Sequence, residues 1–214
     1  MRGLGVNIRE SGRFAASLAS GLRDVSFSGR VRVQNDDERG PSPVLGSPET
    51  LMRIRPFQPE DAPALAALFH ASVHAIAARH YGFAQCFAWS PAPPEPGRYI
   101  AQGSDGRTFL VAVDDRDVPI AYGDLEADGH LDHLYCRPDK TGMGVASALY
   151  DALERVAHEQ RMTRLFVEAS ETARIFYTHK GFKVEACCAA HIRGVRLHNY
   201  RMVKALGSPY PGVA

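Results

Sequence analysis

The rhythm of polar and apolar positions changes several times along the chain. Residues 53–58 (RIRPFQ) alternate as a short strand. Pro59, Glu60 and Asp61 then form a helix start, with acids placed at the positive end of the helix dipole. Leu65, Leu68, Phe69, Val73 and Ile76 recur at three- and four-residue steps, which predicts one buried helix face. A second helical stretch covers residues 81–89 and stops at Ser90-Pro91. The run PAPPEPG (91–97) reads as loop, and residues 99–102 begin another element. Three strands follow at 108–113, 118–126 and 130–137. The joining turns, 114–117 and Asp128-Gly129, are tight, so the three form an antiparallel meander. Afterwards the order is helix (144–161), strand (164–169), helix (172–180) and strands (183–191 and 197–204). Strands first and crossovers later predict an α+β fold with a mixed sheet and helices on its faces.

Before residue 52 the pattern dissolves. Residues 1–51 are rich in Gly, Ser and Arg, and the segment 34–48 combines charge, Pro and Gly as linkers do. We read 1–51 as a disordered tail, a targeting segment or a start set too far upstream. The third reading is favoured because Met52 opens the patterned part. The expected domain is 52–206, with 207–214 as a C-terminal tail.

Composition narrows the function. There are 25 Lys+Arg against 24 Asp+Glu, a formal net charge of +1, which argues against a dedicated nucleic-acid binder. No apolar run is long enough to span a bilayer. Of the four cysteines, Cys187 and Cys188 are adjacent and none form a CxxC pair; this usage fits a reducing, cytoplasmic setting.

One stretch, CRPDKTGMGVASALY (136–150), carries chemistry. A strand ends at Pro138, and Gly142 and Gly144 lead into an amphipathic helix. Unpaired N–H groups at such a helix start can face a phosphate or pyrophosphate; flexible backbone at a helix start is the plainer explanation. The spacing from Gly142 through Gly144 to Ser147 also resembles a dinucleotide fingerprint, with Glu168 at the right remove. Its late position, after a meander, argues against that.

Together with two further segments, this turn resembles the GCN5-related N-acetyltransferase (GNAT) family. The family pattern Arg/Gln-x-x-Gly-x-Gly/Ala is matched at Gly144 and Ala146, while Thr141 replaces the Arg or Gln. Residues 164–182 (RLFVEASETARIFYTHKGF) are similar to the family's strand and the helix ending Phe-Tyr-x-x-x-Gly-Phe, here Phe176, Tyr177, Gly181 and Phe182. The opening RIRPFQPEDAPALAALF matches the family's first strand and helix. Segments 72–81, 130–139, 165–170 and 193–202 look like those of a bacterial subfamily whose acceptors are poorly defined.

The resemblance implies a mostly antiparallel sheet of six or seven strands flanked by about four helices. It implies acetyl-CoA as co-substrate, with no metal. The pantetheine arm would lie along the backbone of Leu134, Tyr135 and Cys136, between splayed strands. The pyrophosphate would lie on the amides of Thr141, Gly142, Met143, Gly144, Val145 and Ala146. Tyr177 matches the family's acid, which protonates the leaving thiolate. The base is expected at His130 or Asp132, with Asp124 and Glu126 in reserve. Strand alternation would put His130, Asp132, Leu134 and Cys136 on one face and His133 on the other.

Ser170 stands where the family often has Asn. It is read first as an N-cap, with a cofactor contact also open. Cys136 reads as a small core residue rather than a nucleophile. His70 and His74, spaced to chelate from one helix face, lack an evident third ligand. His74, Tyr81 and Trp89 are expected to line the acceptor pocket, with Glu126. The expected reaction is direct acetyl transfer to a primary amine of a small molecule. An acyl-CoA-sensing module, and acetylation of a protein or aminoacyl-tRNA amine, are the alternatives. Homodimers are common in the family, and neither nucleic acid nor membrane is an expected partner.

Overall fold

The computed structural model describes residues 52–207; the expected tails lie largely outside the described residues. Strand β1 (Arg53–Pro56) is followed by a single 3-10 turn over Pro59–Asp61 and by helix α1 (Ala62–Ala75). Asp61 is the pivot of this entry. Its carboxylate accepts the Gln58 N–H at 2.9 Å and takes both terminal nitrogens of Arg55 at 2.7 Å. Two short helices, α2 (Phe83–Trp89) and α3 (Gly97–Gly103), precede β2 (Thr108–Val113), β3 (Pro119–Leu125) and β4 (Leu134–Cys136). Then come α4 (Val145–Glu159), β5 (Arg164–Ala169), α5 (Glu171–His179), β6 (Lys183–Ile192) and β7 (Val195–Ala205). None of these helices is long and apolar enough to cross a membrane.

The strands form two antiparallel sheets among the described residues, ordered β1-β2-β3-β4 and β5-β7-β6. Alternation divides the first sheet between two cores. Phe109, Val111, Val113, Tyr122 and Tyr135 pack with Leu65, Phe69 and Val73 of α1. Ala112, Ala121, Leu134 and Cys136 pack with Leu149 and Leu153 of α4 and Tyr177 of α5. The expected architecture holds, with five α-helices in place of four and the seven strands split four and three.

The split has a local cause. The expected third strand, 130–137, survives only as β4, because it is interrupted by a bulge. Glu126 N–H bonds the His130 carbonyl at 2.9 Å, and Asp124 N–H bonds the His133 carbonyl at 3.1 Å. Three steps on one side therefore face two on the other, and the extra residue resets the alternation. His130 and His133 consequently share a face, opposite Leu131, Leu134 and Cys136. The expected grouping of His130 with Leu134 and Cys136 is thus corrected.

Before the bulge the chain also touches β5. Leu131 N–H bonds the Phe166 carbonyl at 2.9 Å, and Phe166 N–H bonds the Gly129 carbonyl at 3.0 Å, an isolated parallel bridge of His130 with Phe166. Past it, β4 and β5 go to different sheets and leave a V between them. Gly129 is required at the apex: φ is +90°, and a Cβ would lie 2.3 Å from the Arg164 carbonyl oxygen.

Candidate active site

The V is bordered at its far end by the glycine turn. Gly142 and Gly144 have φ of 81° and 78°, the left-handed region that glycine enters without steric cost. Gly144 is the N-cap residue of α4. Because the chain arrives there left-handed, the N–H groups of Gly142, Gly144, Val145 and Ala146 take no backbone acceptor among the described residues. They are free donors at the positive end of a fifteen-residue helix. Thr141 and Met143 spend their N–H groups on Pro138 and Lys140.

Tyr177 projects from α5 into the core on the α4 side. It is 1 % exposed, ringed edge-on by Tyr150, Phe176 and Phe182. Among the described residues its hydroxyl has no hydrogen-bond partner. Burial, aided by the charge of Asp124, pushes its pKa far above the ordinary value, so it stays protonated. Ser170 caps α5 as expected: its Oγ accepts the Ala173 N–H at 3.2 Å. Cys136 is buried, and its thiol is pushed up to about 12 by desolvation, which suits a core residue.

On the α1 side, the sheet ends in a network of charges. Arg107 is its centre. Its Nη1 reaches Asp124 at 3.0 Å and Asp132 at 3.1 Å, and its Nη2 reaches Asp105 and Glu126 at 2.7 and 3.0 Å. Burial opposes the guanidinium charge, and the carboxylates outweigh it. His133 Nδ1 lies 2.8 Å from Asp124 and 3.3 Å from Asp132, while Arg98 of α3 meets its Nε2 at 3.2 Å. Asp132 stays ionised: burial works against it, but His133, His130 and Arg107 hold its pKa down. Asp124, Asp132 and His133 bring ligand atoms within 4.8 Å of one another, a spacing that could hold a metal. In this structure Arg107 supplies the cation there.

His130 closes the network at the apex of the V. It is 1 % exposed, stacked on Phe166 at 4.8 Å, with Nδ1 3.3 Å from Glu126 and Nε2 2.7 Å from Glu168. Burial lowers its pKa, but the two carboxylates reverse this and set it at about 9. At neutral pH the ring is therefore a cation. The base expected at His130 is thus already protonated and ion-paired at neutral pH.

Three side chains expected in the acceptor pocket, Tyr81, Trp89 and His74, all have partners within the fold. Tyr81 donates its hydroxyl to the His198 carbonyl at 2.7 Å and accepts the Glu171 N–H at 3.0 Å. Trp89 is buried edge-on against Tyr81. His74 Nε2 holds the Ser90 carbonyl and His70 Nδ1 the Ser90 hydroxyl, both at 2.8 Å, so this pair clasps the end of α2. Glu126 joins the charge network through Arg107 and His130, with its side chain 31 % exposed. Sequence reading missed Arg107 and Arg98, and gave Glu168 no part in this site. No motif joins them; they meet only once α3, β2 and β5 are brought against the β3–β4 connection.

Comparison with known proteins places this arrangement. Residues 78–204 match the family described as acetyltransferase (GNAT) domain. The chain is 28% identical over 151 residues to the uncharacterized N-acetyltransferase YafP of Escherichia coli (strain K12), covering 71% of this chain and 94% of that one. Among solved structures, it is similar to a GCN5-related N-acetyltransferase from Rhodopseudomonas palustris. There the identity is 33%, with 78% of this chain and 100% of that chain covered and a TM-score of 0.67. A GNAT superfamily phosphinothricin acetyltransferase from Sinorhizobium meliloti, solved in complex with acetyl-CoA, shares the fold at 19% identity. It covers 73% of this chain and 89% of its own, with a TM-score of 0.59. The V between two sheets, the glycine turn and the matching sequence agree: the chain belongs to the GNAT acetyltransferase family.

Proposed function

We propose that this protein transfers the acetyl group of acetyl-CoA to a primary amine of a small molecule. The observation that carries the reading is the divergence of β4 from β5 beyond the His130–Phe166 bridge, ending at free backbone donors. A pantetheine arm fits such a gap along Leu134, Tyr135 and Cys136, and a pyrophosphate fits the donors of Gly142, Gly144, Val145 and Ala146. The solved Sinorhizobium meliloti relative with acetyl-CoA supports that choice. Acetyl-CoA, when bound, supplies an activated thioester.

The chain's own groups then have the following roles. The buried, protonated and unpartnered Tyr177 hydroxyl holds a proton for the leaving thiolate. Glu126 and Glu168, held by the His130 cation, present negative charge at the apex of the V. They draw in an ammonium group and accept its proton as a coupled unit. Asp132, tied to Arg107 and His133, orders this network rather than meeting the amine. Ser170 holds the start of α5, which carries Tyr177. The near-neutral chain favours a small amine over a tRNA-borne one, and its four free cysteines favour the cytoplasm.

The test is a screen of primary amines with the full chain, following release of the coenzyme A thiol. Turnover with at least one amine, lost in Tyr177→Phe while acetyl-CoA still binds, supports the reading. Acetyl-CoA binding without turnover of any amine would replace it with an acyl-CoA-binding module.

A further inference from the structure

Asn199 of β7 stands outside the machinery described so far, yet it faces the same side of the molecule. Glu168 and Arg201 are directly opposed in the β5–β7 register, so they share a face of the sheet. The Arg201 guanidinium lies 5.6 Å over the Phe166 ring on that face. Asn199, two residues earlier on β7, points the same way and is diagonal to Glu168, about 7–8 Å away in such a pairing. The face is therefore continuous from the His130–Glu168 pair to Asn199.

Asn199 is 4 % exposed. The small residue opposite it on β6, Cys188, is itself exposed and does not cover it. Helix α2 packs on β7; Gln85 of α2 bonds the Arg196 carbonyl, and Tyr81, just before α2, bonds the His198 carbonyl. Among the described residues the Asn199 carboxamide oxygen has no hydrogen-bond partner. A buried acceptor without a donor weakens the fold, a cost that a ligand bringing the donor would recover.

Resting on the acetyltransferase reading above, we propose that Asn199 is an acceptor-binding residue. Its carboxamide oxygen takes a hydrogen bond from a second N–H or O–H of the amine, whose reacting nitrogen lies toward Glu168. The acceptor class is thus an amine with a further hydrogen-bond donor a few bonds away, an amino alcohol, amino amide or diamine. A plain alkylamine would leave the oxygen unpaired and be discriminated against.

The experiment uses matched amines, alkylamines with and without a terminal hydroxyl or amide. The proteins are the wild-type full chain, Asn199→Leu and Asn199→Asp. Two readouts are taken: amine binding in the presence of coenzyme A by calorimetry, and thiol release with acetyl-CoA. In the wild type, donor-bearing amines should bind about tenfold tighter than their plain partners. Asn199→Leu should erase that preference mainly through KM, with acetyl-CoA affinity kept and Tm unmoved or raised. Asn199→Asp, which keeps an acceptor oxygen, should preserve the preference. An equal loss for both amines in Asn199→Leu, or an unchanged preference, overturns the proposal. Binding that depends on Asn199 without thiol release overturns the transferase reading and leaves this one standing; no amine binding at all overturns both.

Discussion

The Nε2 of His130 lies 2.7 Å from a carboxylate oxygen of Glu168, and this bond joins the β3–β4 connection to β5 at the point where the two sheets part. The same ring stacks on Phe166 and reaches Glu126, so a single imidazolium fastens the apex of the V.

The pH dependence of that bond follows. The pKa of His130 rises from an ordinary 6.5 to about 9 in the folded protein. Its contribution to stability is fully present below about pH 6.5 and is lost as pH rises through about 9. We expect His130→Gln to destabilise the protein by up to about 3 kcal/mol near neutral pH. The difference from wild type should shrink toward zero above about pH 10. Urea unfolding of both proteins across this range measures it; a gap that widens with pH would falsify the assignment.

Tyr177→Phe separates chemistry from packing. The hydroxyl makes no hydrogen bond, so its removal should leave Tm unchanged or slightly higher. Turnover of an accepted amine should fall about a hundredfold or more, with acetyl-CoA affinity kept. Kinetics and calorimetry on one preparation decide between this and a tyrosine that only packs, whose replacement by Phe would leave turnover unchanged.

Arg107→Met should be far more damaging. It leaves Asp124 and Asp132, both buried, without their central cation, and an uncompensated buried charge costs about 3–5 kcal/mol. The loss should lessen at low pH, where Asp132, no longer held ionised by Arg107, takes up a proton. A mild and pH-independent effect in thermal unfolding would show that Arg107 is not the centre of the network.

Two glycines should respond differently to alanine. At Gly142 an added Cβ meets nothing within 4 Å, so only the φ of +81° is penalised, by about 1–2 kcal/mol. The measurable consequence should be a weaker affinity for acetyl-CoA as the turn relaxes. At Gly129 the Cβ would collide with the Arg164 carbonyl, and Gly129→Ala should lose the bridge and fold poorly. Equal Tm shifts in the two variants would contradict this geometry.

Much of the fold was legible because its signals are local. The spacing of Leu65, Leu68, Phe69, Val73 and Ile76 marks a helix face whoever its neighbour is, and all five are buried. Ser170 and Ala173 are three residues apart, and a cap needs no more. Strands β2 and β5 were bounded to the residue, as their apolar runs end at polar turns.

The site itself was legible only where it is made of contiguous backbone. By itself, the sequence determined most of the elements, the glycine turn and the helix that carries Tyr177, since each depends on residues a few positions apart. Tertiary structure decided the rest. One extra residue between His130 and His133 turned two histidines to the same face, which no alternation count reveals. Glu126 and Glu168 together then held His130 as a cation, and cross-strand register set Asn199 diagonal to Glu168. Charge state and unsatisfied hydrogen bonds depend on what approaches across tens of residues of chain. The physical reason is that both are set by the local field and by water exclusion, which exist only once the strands have met.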